Sequence, residues 1–222
     1  MVNLCCVRIN SNVVFSVMML KELLEKGGMV MPLILLLSIY VVAVIMYKIF
    51  QFWRTGAFSI AFVDDVLRAV EDKKMAEAMN VASKHKGPVA RVVEATINAI
   101  GNRTISDEKR ARIIESSAVR EMRVYESHMR GLELVANISP LLGLLGTVMG
   151  MVKVFAGISN SGSGVDPTVL AGGIWEALLT TVAGLAVAIP ALSAHYIIEG
   201  RIESIRARLK DTVMGVMARS GN

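Results

Sequence analysis

The sequence predicts an all-α membrane protein: three transmembrane helices, two of them continuing into the cytoplasm as long helices. Three observations predict this class: long uncharged runs, cations confined to one side of them, and apolar stripes at helical spacing on the flanking segments. The 222 residues are 54% hydrophobic yet 19% charged, so the two kinds of residue must be segregated along the chain. A soluble domain does not leave uncharged runs of about twenty residues, the length that crosses a bilayer. Lys and Arg number 24 against 19 Asp and Glu, and only 5% of residues are aromatic, too few for base stacking. Nucleic acid is therefore not an expected partner, and the basic excess reflects the cationic inner side of a membrane protein.

The N-terminal segment, residues 1–26, contains Cys5 and Cys6, which are adjacent and suit neither a disulfide framework nor a zinc site. Met18 and Met19 offer alternative starts, and the first seventeen residues carry no functional weight. Residues 27–47 are 21 positions without a charge, followed by Lys48 and then by Trp53 and Arg54, a pair suited to a membrane interface. A cleaved leader would have a shorter apolar core and a small-residue cleavage site, so this is the first span. The second is expected at 134–152 and the third at 167–198, where Glu176 is the one acid.

Residues 48–133 hold 15 Lys or Arg, whereas residues 154–175 hold none. Cationic segments stay inside, so the N-terminus and the turn at 153–166 face outward, while 48–133 and the tail at 199–222 face the cytoplasm. Within 48–133, short helices are expected over 58–72, 73–84 and 88–100, with breaks at Lys86-Gly87-Pro88 and Gly101-Asn102. Ser106 before Asp107 and Glu108 reads as a helix cap. From there Ile114, Ala118, Met122, Tyr125, Met129 and Leu132 form a stripe expected to run unbroken into the second span. Ile198, Ile202, Ile205, Leu209 and Val213 continue the third span in the same way, and from residue 167 to 213 the helix would rise roughly 70 Å. Such helices serve either as a hairpin packed on itself or as a platform for other proteins.

Glu176 is the candidate functional residue. An ionisable group in lipid costs at least ~2.5 kcal/mol, so it marks a polar surrounding or a task. Asp166-Pro167 reads as a cap and first helical residue, which puts Glu176 about 14 Å along the axis, near the middle of a ~30 Å core. Desolvation favours the neutral form of a carboxyl at that depth, which suits uptake and release of protons. Thr180 lies one turn away on the same face and Thr181 beside it; their hydroxyls can serve the carboxylate or bond back to their own helix. Gly143, Gly146, Thr147 and Gly150 make a small face on the second span, and Gly172, Gly173, Ala177, Gly184, Ala188 and Ala191 a matching stripe on the third. Close packing of the two, or of their copies in an oligomer, would make Thr147 the cross-helix partner of the region of Glu176 and Thr180 or Thr181. Pro140 and Pro190 are placed to bend their helices. His195, beside Tyr196, is expected to anchor locally, and His85 and His128 to lie on solvated surface. Hydrolase, zinc-protease and phosphate-loop motifs are absent, so neither catalysis nor any metal or cofactor is expected. The Ser159 to Gly164 cluster is read as an outer turn.

Ser139-Pro140-Leu141-Leu142-Gly143-Leu144-Leu145-Gly146-Thr147-Val148 and Gly172-Gly173-Ile174-Trp175-Glu176-Ala177-Leu178-Leu179-Thr180-Thr181-Val182-Ala183-Gly184-Leu185 together resemble the paired signature of the ExbB/TolQ/MotA proton channel family, closest to its ExbB and TolQ branch. The resemblance implies a homopentamer in the bacterial inner membrane, N-terminus periplasmic and C-terminus cytoplasmic, enclosing a dimer of an ExbD- or TolR-like single-span partner that carries a membrane aspartate. Protons would pass near Thr147 and Thr181, with Glu176 lining the pore. Movement of the partner would energise a TonB- or TolA-like protein for outer-membrane transport or envelope maintenance. The motif points to Thr181, helical geometry to Thr180. Two other functions compete: a non-conducting membrane scaffold in which Glu176 only holds subunits together, and a flagellar-type stator subunit, which would have four spans and a larger inner domain.

Overall fold

The structure, a computed structural model, describes residues 28–55, 61–102, 104–160 and 167–220. The described residues contain no strand. A 3-10 turn, Gly28–Val30, leads into α1 (Met31–Thr55), followed by α2 (Ala61–Glu71), α3 (Met75–Ser83), α4 (Pro88–Gly101), α5 (Asp107–Glu126), α6 (Met129–Asn160) and α7 (Pro167–Ser220). Gly28–Thr55, Asp107–Ser159 and Pro167–Ser220 are long and apolar enough to cross a membrane, so the all-α class and the three spans agree with the sequence. The features expected at Cys5, Cys6, Asp166 and residues 161–164 lie outside the described residues. Pro140 and Pro190 lie within the continuous helices α6 and α7.

The chain forms two compact units, one of residues 28–43 with Gly131–Ser193 and one of Val44–Arg130 with residues 194–220. In the first, Met31, Ile34 and Val41 from α1 are buried, as are Val135, Ala136 and Ser139 from α6 and Ala177, Val187, Ala188 and Ala191 from α7. The opposite faces carry large exposed side chains: Leu134, Leu141, Leu144, Val148, Val152 and Phe155 on α6, and Trp175, Leu178, Val182 and Ile189 on α7. Apolar surface on that scale belongs against lipid or another chain, not water. Tyr40 of α1 lies over Gly131, and its hydroxyl occupies the space a Cβ there would fill.

In the second unit, α2 packs on α3, α3 on α4 and α4 on α5. Phe62, Val66 and Val70, then Val89, Val92, Val93 and Ile97, are withdrawn from solvent. Ser106 caps α5 as expected, accepting from the Lys109 N–H at 3.4 Å. Both predicted stripes face inward: Ile114, Met122, Tyr125, Met129 and Leu132 are buried, as are Ile198, Ile202, Ile205 and Leu209. Arg206 pairs with Glu126, and Arg219 Nε lies 3.5 Å from Glu71.

The expected unbroken run into the second span is corrected. Helix α5 stops at Glu126, and His128 takes a left-handed φ of 65° before α6 begins. Ending a helix strands its last carbonyls, and here two side chains from α1 receive them. Lys48 Nζ donates to the Tyr125 carbonyl at 2.6 Å and Gln51 Nε2 to the Val124 carbonyl at 3.1 Å. Lys48 Nζ also donates to Gln51 Oε1 at 3.2 Å. The ammonium therefore sits at the negative end of the α5 dipole. The Tyr47 and His128 rings meet edge to face at 5.6 Å beside it. Lys48, the charge that ends the first uncharged run, is fully buried, whereas Trp53 is exposed. A second correction concerns the turn at 153–166, because helix continues to Asn160.

Candidate functional site

Helices α6 and α7 approach at backbone distance because small residues face each other along the contact. A Cβ on Gly143 would stand 3.0 Å from the Thr180 carbonyl oxygen and from Thr181 Cα, and one on Gly184 would stand 2.5 Å from the Ser139 carbonyl oxygen. Gly146 lies under Thr180, and Gly150 against Ala177. The four glycines singled out from sequence, Gly143, Gly146, Gly150 and Gly184, are thus all at close contacts within one chain. Gly173 also takes part, against Val154, whereas Gly172 has open space beside it and leaves the expected stripe.

This proximity lets the two threonine hydroxyls reach across. Thr180 Oγ1 donates to the Gly143 carbonyl at 3.2 Å and to the Ala177 carbonyl at 2.7 Å, and Thr181 Oγ1 to the Gly143 carbonyl at 3.1 Å. Two hydroxyls converge on one carbonyl, so both threonines are held by the helix pair and not by the carboxylate. Of the two alternatives left by sequence, back-bonding holds for Thr180, joined by a bond across to α6.

Glu176 is half-buried and faces a cavity of about 20 Å³ bounded by Gly146, Met149, Gly150 and Lys153 of α6, Ala177 and Thr180 of α7, and the Gly28–Val30 turn. That volume holds about one water molecule. Gly28 closes it with φ +60°, a conformation that favours glycine. A Cβ there would be 3.6 Å from Glu176 Oε1 and 3.7 Å from Lys153 Nζ, so the acid and the base converge on the same point. Sequence reasoning missed Lys153 because it was counted with the turn at 153–166, just past the second span. It sits seven residues after Gly146 and three after Gly150, on the same helical face, and extending that face by one turn would have found it.

Thr147, expected as the cross-helix partner of the Glu176 region, is not among the residues that line the Glu176 cavity within one chain. Its hydroxyl donates to the Leu144 carbonyl of its own helix at 2.7 Å. It lines a separate open concavity with Val148, Met151, Val152 and Phe155, on the exposed apolar face of α6. His195 is buried, with Nε2 3.5 Å from Glu199 and its ring edge to face with Tyr196, consistent with a local anchor. His85 stacks on Phe62 at 4.4 Å instead of lying free in solvent.

The geometry now has a context. The chain is 39% identical over 89 residues to the biopolymer transport protein exbB1 of Vibrio cholerae, covering 40% of this chain and 39% of that one. It is 30% identical over 183 residues to a putative biopolymer transport protein ExbB homolog of Methanothermobacter thermautotrophicus, covering 82% and 63%. A putative biopolymer transport protein ExbB-like 1 of Synechocystis is 36% identical over 170 residues, covering 75% and 65%. The chain thus spans between about two fifths and two thirds of the length of these relatives. Residues 84–211, which include α6, the cavity's acid and base, and most of α7, match the MotA/TolQ/ExbB proton channel family. With three helices long enough to span a bilayer and more than half of its length matched, the chain is a multi-pass membrane protein that belongs to the MotA/TolQ/ExbB proton channel family.

Proposed function

We propose that this chain is an ExbB-like subunit of a bacterial inner-membrane proton channel and motor complex, with Glu176 as its proton-exchanging group. One observation carries the reading: the carboxyl of Glu176 opens on a one-water cavity walled by two helices and a glycine turn. A carboxylate that opens on room for a single water, beside Lys153 and Thr180, can take a proton from that water and return one. Five copies would surround a dimer of an ExbD- or TolR-like single-span protein, and the exposed apolar faces of α6 and α7 supply surface for such an assembly. Thr147 lies on the α6 face that its own chain leaves uncovered, where it is available to a neighbouring subunit or the partner. Thr181, anchored on Gly143, holds the α6 and α7 contact beside the path, with Thr180 on the cavity wall. Movement of the partner inside the ring would then drive a TonB- or TolA-like protein, for outer-membrane transport or envelope maintenance. The N-terminus would be periplasmic and the C-terminus cytoplasmic.

The nearness of Lys153 to Glu176 favours one other reading, a scaffold in which the acid and base only join the helices. A Glu176→Ala variant expressed with the native partners separates the two. Conduction predicts lost energy transduction with an intact complex on native electrophoresis, whereas a scaffold predicts that the complex itself falls apart. Normal transduction in that variant would reject the proton role. Thr147→Val and Thr181→Val apply the same comparison to the hydroxyls.

A further inference from the structure

Lys153 and Glu176 are the charged residues among those that line the cavity, and both side-chain ends lie within 4 Å of the position a Gly28 Cβ would take. The oxygens here are of the kind that coordinate a small metal cation: a carboxylate, the Thr180 hydroxyl and room for a water. A sodium ion entering such a place must exchange its hydration shell for several oxygens at once. An ammonium in the same small space stands against that in two ways. Its N–H groups compete for the same oxygens, and its charge repels a second cation in a surrounding that screens poorly. A proton needs neither a coordination shell nor extra volume. It arrives on the cavity water, forms an O–H bond with one carboxylate oxygen as the water's O–H bond breaks, and leaves by the reverse, while the lysine keeps its three N–H bonds.

We propose that Lys153 is the residue that restricts the Glu176 site to protons, by occupying the place a sodium ion would take. The proposal rests on Glu176 exchanging protons, as argued above, and adds the identity of the residue that excludes the competing ion. Gly28 belongs to the device, since its φ of +60° favours glycine and it closes the cavity within van der Waals reach of both charged ends.

The test uses the full chain in membranes and dicyclohexylcarbodiimide, which adds to a protonated carboxyl and is read by mass at Glu176. Labelling rates are compared in sodium chloride and in choline chloride of equal strength. In the wild type and in Lys153→Arg, sodium leaves the rate unchanged. In Lys153→Met and Lys153→Gln, sodium slows labelling about tenfold, because the vacated space now admits it. Sodium protection of the wild type, or labelled and assembled Met and Gln variants that remain indifferent to sodium, would overturn the inference while leaving proton exchange intact. A wild type whose Glu176 is not labelled at any pH rejects the proton-exchange reading itself. Assembly with arginine but with neither methionine nor glutamine assigns the lysine to architecture and also overturns the inference.

Discussion

Gly146 lies directly beneath Thr180, so that a Cβ at position 146 would come within 2.6 Å of the threonine Cβ. No rotamer of Thr180 removes a clash at its own Cβ, so the helices themselves must separate. Gly146→Ala should therefore destabilise the chain by about 1–3 kcal/mol, as overpacking does elsewhere. Gly172→Ala is the matched control, because nothing lies within 4 Å of the added atom, and helix propensity alone should stabilise it by roughly 0.5–1 kcal/mol. Thermal unfolding of the two variants in detergent should shift in opposite directions.

The turn before α1 makes a second prediction. Gly28 has φ +60° and faces both Glu176 and Lys153. Alanine there costs roughly 1–2 kcal/mol in backbone strain, which a shift of the turn that bounds the cavity would relieve. Gly28→Ala should lower proton flux more than it lowers the amount of assembled protein, measured together in one vesicle preparation.

Lys48 gives a prediction about architecture. Lys48→Met leaves the Tyr125 carbonyl, which the ammonium meets at 2.6 Å, without that donor, at a cost of about 1–3 kcal/mol. The break between α5 and α6 should loosen, seen as faster tryptic cleavage at Arg123 and Arg130 on either side of it.

Ser106 is a contrasting site remote from the cavity in sequence. Ser106→Ala removes the acceptor for the Lys109 N–H and should cost about 1 kcal/mol. Hydrogen exchange of the first α5 turn should quicken, with proton flux unchanged.

What could be read from the sequence follows from periodicity and polarity. The apolar stripes through Ile114 and Ile202 face inward because spacings of three and four residues map onto one side of a helix. The four glycines of the α6 and α7 contact were visible for the same reason. Periodicity does not say which carbonyl a distant lysine will reach, and Lys48 meets Tyr125 across 77 positions of chain. Nor does it show a left-handed His128, which a local pattern reads as one more helical residue. Glu176 was found because an acid in an apolar run is conspicuous. Lys153 was not, because it stands just past the end of such a run, where it was counted with the turn.

Glu176 as the proton-exchanging group is tested most directly by proton uptake into vesicles holding the assembled complex and a pH-sensitive dye, driven by an imposed potential, for the wild type and Glu176→Gln. Glutamine keeps the shape and hydrogen-bonding reach of the side chain but cannot carry the proton. The account predicts uptake in the wild type and a leak no greater than that of empty vesicles in the variant. Undiminished uptake through Glu176→Gln would contradict it.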